Sequence, residues 1–117
     1  MKIIQSSKYA CAGLITFFRR ERNGKIQLVI SALTVTAGLG LRLPYNKWIA
    51  ILVCISMVLS MEMINTAIEK LCNLVHPDEH PQIKIVKDIA AGAVLLAAVI
   101  SLIVGILIFL PAMISLF

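Results

Sequence analysis

Residues 89–117 read IAAGAVLLAAVISLIVGILIFLPAMISLF, 29 positions without an Asp, Glu, Lys or Arg. A helix needs about 20 mostly apolar residues to cross the hydrocarbon of a bilayer. This run therefore predicts a membrane span over about Ile89–Phe109, with Pro111 near its end, where a stop or kink costs little. Two further uncharged runs precede it, residues 26–41 and 48–61. They predict spans over about Ile26–Leu43 and Trp48–Ile68, the second tolerating Glu62 near one end. Backbone polar groups in lipid must be satisfied within the segment, so all three spans are expected to be helical.

Composition agrees with that reading. The chain has 117 residues, 60% hydrophobic and 15% charged, with a mean hydropathy of +0.95. Soluble domains are about 45–50% apolar and about 25% charged, and a soluble domain this small could not hide so much apolar side chain. An ordinary soluble enzyme, a disordered tail and a collagen-like fibre are excluded. The 3 cysteines cannot all pair and do not make a disulfide scaffold. Cys11, Cys54 and Cys72 read as free thiols. The expected fold class is an all-α membrane protein of one domain over residues 1–117.

Charge placement gives the expected topology. Lys2, Lys8, Arg19, Arg20, Arg22 and Lys25 precede the first span, and Lys70, Lys84 and Lys87 follow the second. Only Arg42 and Lys47 lie in the short first link, where Pro44 favours a tight hairpin. The positive-inside rule makes the lysine- and arginine-rich side cytoplasmic. All six acids lie on or near that side, so the chemistry is expected there. Residues 1–22 read as an amphipathic helix lying on the membrane surface. Ile3, Ile4, Leu14, Ile15, Phe17 and Phe18 share one face, and the basic residues lie off it. Asn23-Gly24 is expected to end that helix. Glu21 projects onto its apolar side, so either the helix frays there or the carboxylate turns inward to a cation or polar partner on another helix. The net charge of +5 points to anionic lipid head groups and not to nucleic acid.

The most informative stretch is EMINTAIEKLCN, residues 62–73. Positions 62, 65, 66, 69 and 73 share one helix face. Ionisable groups inside a span are expensive and mark function by default. Glu62, the deeper carboxylate, is placed to act as general base toward a hydroxyl delivered from lipid. Glu69, nearer water, is a hard oxygen donor suited to Mg²⁺, which takes one or two protein carboxylates plus phosphate oxygens and water. Glu21 would supply the second carboxylate, and Lys87 could meet phosphate charge. No glycine-rich phosphate loop is present, so a nucleotide must be held by side chains and metal. His76-Pro-Asp-Glu-His80 fits no strong metal-ligand spacing.

Glu62-x-Ile64-Asn65-Thr66-Ala67-Ile68-Glu69 resembles the signature of the bacterial membrane-integral diacylglycerol kinase family, which includes undecaprenol kinases. It matches over eight positions and departs at Cys72 and at Asn73, where the family carries an aspartate. The block Lys87-Asp88-Ile-Ala-Ala-Gly-Ala-Val and the run Glu21-Arg-Asn23 agree as well.

The resemblance implies a homotrimer in the bacterial inner (cytoplasmic) membrane, with composite active sites on the cytoplasmic face. It implies transfer of the γ-phosphoryl group of ATP to a lipid alcohol, with diacylglycerol the first expectation and undecaprenol the alternative. By the same resemblance, Glu62 is the catalytic base and meets the lipid substrate. Glu21 and Glu69 bind Mg²⁺ or another divalent metal. Tyr9, Glu21, Asn65, Glu69, Lys87 and Asp88 line the ATP site, with Asp78, Glu79 and His80 nearby. A reading from a different class is a small ion-coupled transporter with Glu62 as proton carrier. Against it, Glu62 lies toward one end of its span and no second half of the chain mirrors the first. A non-catalytic scaffold subunit is a third.

Overall fold

The computed structural model describes residues 2–117, and among them every regular element is a helix. They are α1 (Ile3–Arg20), α2 (Arg22–Gly40), α3 (Tyr45–Val75) and α4 (Pro81–Ile114). α3 and α4 pack together most extensively, α1 lies against α2, and α2 lies against α3.

The uncharged runs mark the lipid-compatible middle of each helix and not its ends. α3 has 31 residues and α4 has 34, about 46 and 51 Å at about 1.5 Å per residue. Both exceed the roughly 30 Å of hydrocarbon and continue into polar turns rich in good helix formers, Glu69-Lys70 in α3 and Lys84 in α4. Both are long and apolar enough to cross a membrane. α2 has 19 residues, and its first turns hold Arg22, Lys25 and Gln27, which lower its hydropathy below theirs. The hydroxyls of Thr34, Thr36 and Ser56 donate to carbonyls three or four residues back in their own helices. These three hydroxyls are thereby satisfied within their own helices.

The elements end at different places from those expected. α1 stops at Arg20, and Glu21 (φ −90°, ψ 131°) is the extended elbow before α2. Asn23 and Gly24 fall inside the first turn of α2 and do not terminate α1. Gly24 is there for space, since a Cβ would overlap the Phe17 carbonyl oxygen. α4 runs through Pro111 to Ile114. The helix does not stop at Pro111, and a proline this close to the end costs α4 few hydrogen bonds. The α2–α3 turn is tight as expected: Arg42 takes a left-handed φ of 53°, and Pro44 caps α3. Gly38 is buried under the Trp48 ring, which would lie 2.9 Å from an added Cβ.

The described residues bury little. The apolar core comes down to Phe17, Ile51, Cys72, Ala90 and Ile108, while large apolar side chains stand exposed along every helix. That inverts the soluble pattern and fits a chain whose flanks face hydrocarbon or further protein.

Candidate functional site

Glu62 lies about 26 Å along α3 from Tyr45 at about 1.5 Å per residue, close to where a 30 Å hydrocarbon layer would end. It and Asn65, one turn later, are the two buried polar residues among those described, 8% and 7% exposed. The helical period turns both toward the neighbouring helices. Glu69, another turn on, is exposed, so the stripe runs from a closed interior to water.

α2 closes the stripe at its deep end. Gln27 Nε2 is 3.5 Å from Glu62 Oε1, at the outer edge of hydrogen-bond range. Asn23, one turn earlier on α2, lies near this carboxylate. The Gln27 amide, with Asn23 near it, therefore faces the Glu62 carboxylate from α2. Below Gln27 a largely apolar cavity of about 590 Å³ opens between α2, α3 and α4, lined by Thr34, Ile51, Ile55, Val104 and Gly105 among others. Gln27 lines the cavity and touches Glu62, so it joins the two.

At the shallow end, Asn65 donates from Nδ2 to Glu69 Oε1 at 3.1 Å. The Asn65 Oδ1 atom is buried without a hydrogen-bond partner among the described residues. A buried acceptor left open costs free energy and marks a place for a cation or donor. Glu21, at the elbow, turns to α3, where Lys70 Nζ is 2.9 Å from its Oε1. The helix does end before Glu21, as the first alternative had it, and the carboxylate turns inward to a cation on another helix, as the second had it.

The start of α4 supplies cations. Lys87 Nζ donates to Asn73 Oδ1 at 2.7 Å, so its charge meets a neutral amide where an aspartate would have balanced it. Lys84 pairs with Asp88 at 2.6 Å. His80 caps α4, its Nδ1 accepting from Gln82 N–H. Tyr9 is 65% exposed on α1. Among the described residues, no side-chain hydrogen bond or ion pair joins Tyr9, Asp78, Glu79, His80, Lys87 or Asp88 to Glu62, Asn65 or Glu69. Asn23, Gln27 and Lys70 are the contributors that spacing along α3 does not reveal. A glutamine inside an otherwise apolar run was the available signal for Gln27, whereas nothing in the sequence pairs residue 70 with residue 21.

No three His, Cys, Asp or Glu side chains converge as a metal cage among the described residues. The donors present are instead a carboxylate at Glu69, an open carbonyl at Asn65 and a second carboxylate at Glu21. The structure brings Glu69 and Asn65 together, while Glu21 meets α3 through Lys70. A hard cation at Glu69 and Asn65 would draw its remaining ligands from phosphate oxygens, water and a carboxylate such as Glu21.

Comparison with known proteins bears on this site. Residues 8–109 match the family model for prokaryotic diacylglycerol kinase. The chain is 37% identical over 110 residues to an undecaprenol kinase of Bacillus subtilis, covering 94% of this chain and 89% of that protein. It is 36% identical over 115 residues to a diacylglycerol kinase of Synechocystis, covering 97% of this chain and 66% of that protein.

Proposed function

The chain belongs to the prokaryotic diacylglycerol kinase family, and on that premise we propose that Glu62 is the base of its phosphoryl transfer. The protein is a lipid kinase and a membrane protein, with ATP as the phosphate donor. The observation that carries the proposal is the buried Glu62 carboxylate, faced by the Gln27 amide of α2 and joined through that side chain to an apolar cavity.

The acceptor's hydrocarbon lies along that cavity and its hydroxyl reaches Glu62. A Glu62 oxygen takes the hydroxyl proton as the hydroxyl oxygen bonds to the γ-phosphorus. The bond from that phosphorus to its bridging oxygen breaks, and ADP leaves. The proton then returns to water along the stripe past Asn65 and Glu69. Lys87, matched to a neutral amide, has charge to spare for phosphate oxygens. Glu69, Asn65 Oδ1 and Glu21 would hold Mg²⁺, which would supply positive charge to offset the negative charge of the phosphates. Tyr9, Asp78, Glu79, His80 and Asp88 border the nucleotide, brought in by small movements of α1 and the α3–α4 loop or by a second copy in a homotrimer.

Undecaprenol is the first acceptor we propose, because the likeness to the Bacillus enzyme runs over most of that protein. Diacylglycerol is the second. We also propose that α2 crosses the membrane. Its start meets the far end of α3 through Glu21 and Lys70, and its end turns directly into the start of α3. On this reading it spans the same slab, as the first of three crossings in the bacterial inner membrane. α1 lies on the cytoplasmic surface against anionic head groups, and the site opens to the cytoplasm.

The test is phosphorylation in bicelles with Mg-ATP, undecaprenol and diacylglycerol side by side. Faster transfer to undecaprenol is expected. The reverse preference would reject that choice of acceptor, and no transfer to either would reject the site.

A further inference from the structure

The proposed cation ligand Glu21 already has a counterion. Lys70 Nζ is 2.9 Å from Glu21 Oε1, and the Glu21 side chain is only 24% exposed. Lys70 follows Glu69 directly on α3, so the two side chains leave the same helical turn, and Lys70 turns its ammonium to Glu21. The Asn65 Oδ1 atom on the same helix is buried with its valence open. A divalent cation between Glu69, Asn65 and Glu21 would meet the Lys70 charge at short range. Like charges so close repel, and Glu21 cannot serve both fully.

Lys70 itself is 63% exposed on a long stem and can swing away without unpacking any core residue. The strongest anion then within its sweep is a phosphate chain bound at the same cation. Lys87, held against Asn73, would flank that chain from α4.

We propose that Lys70 is a placeholder counterion: in the empty site it holds Glu21, and on loading it yields that carboxylate to the divalent cation and turns its own charge to the incoming polyphosphate. This rests on the reading of Glu21 and Glu69 as cation ligands. Lys70 keeps the elbow from carrying an unpaired carboxylate while the site is empty. It also couples the two loading events, because leaving Glu21 frees it for phosphate.

The placeholder predicts two opposite effects from one substitution. Lys70→Met keeps the aliphatic stem and removes the charge, at a position exposed enough to leave folding intact. Mn²⁺ added alone to the micellar protein, followed by electron paramagnetic resonance, should bind about two- to five-fold tighter to K70M, the scale of a partly exposed ion pair. The KM for ATP should rise by a similar factor with kcat little changed. K70R should restore both, since a guanidinium can hold either anion. In a Glu21→Gln background K70M should leave Mn²⁺ affinity unaltered.

A purely structural Lys70 would move both readouts the same way or neither, and either result overturns the proposal. So does a K70M effect that survives Glu21→Gln. Wild-type protein that transfers phosphate but binds no Mn²⁺ overturns the cation reading together with the placeholder, whereas failure of lipid phosphorylation speaks to the function itself.

Discussion

Glu62 and its neighbours interact over a few ångströms. Glu62→Gln keeps the shape and the amide contacts from α2 but cannot take a proton. Turnover should fall by about 10²–10⁴-fold, the usual worth of a positioned base, while ATP binding measured by titration stays near wild type. An unchanged kcat would remove Glu62 from the chemistry. Asn73 gives a prediction of the other kind. Its Oδ1 accepts from Lys87 Nζ at 2.7 Å, and Asn73→Asp would turn that bond into an ion pair. The pair is exposed, so the gain should be small, about 0.2–1 kcal/mol, seen as a modest rise in the thermal midpoint that fades in high salt.

Elements are held in register here by close approaches more than by core volume. At the α1–α2 elbow Gly24 is pressed against Phe17, and at the α2–α3 turn Gly38 lies under Trp48. Gly24→Ala must push backbone aside and Gly38→Ala an aromatic ring. Both should lower the thermal midpoint in detergent, by about 1–3 kcal/mol for an overpacked site, with Gly24→Ala the worse because its obstacle is main chain. Equal tolerance of the two would argue against this packing. The same elements explain what the sequence made legible. Lipid forbids unpaired charge, so the interior of α3 and α4 could be read from charge-free runs. Helix ends could not, because Lys84, Glu69 and Lys70 propagate a helix in water as well as apolar residues do in lipid. The stripe Glu62, Asn65, Glu69 was legible because one helix generates it by its own period. Gln27 and Lys70 were not, because their places depend on how α2 turns back along α3 and on an elbow at Glu21. The spacing pointed to Glu21 only by its wrong-face position.

For the whole molecule, the proposed orientation sets the polar turns of α3 and α4 and the elbow on one side, and residues 41–44 on the other. A cysteine placed at Asn46 should react with an impermeant maleimide from outside intact cells, and one at Asp78 only after lysis. The opposite pattern would invert the topology. Further, α3 is one unbroken rod from Tyr45 to Val75, carrying both the lipid-embedded stretch and the acidic stripe. The height of Glu62 relative to the water boundary is therefore fixed by where the bilayer grips the lower half of that rod. A thin membrane lifts the carboxylate out among head groups, and a thick one drowns it in acyl chains. With Glu62 as the proposed base, host-lipid chain length should act as a mechanical dial: turnover in bilayers of graded acyl length is expected to pass through a maximum without altering a single side chain.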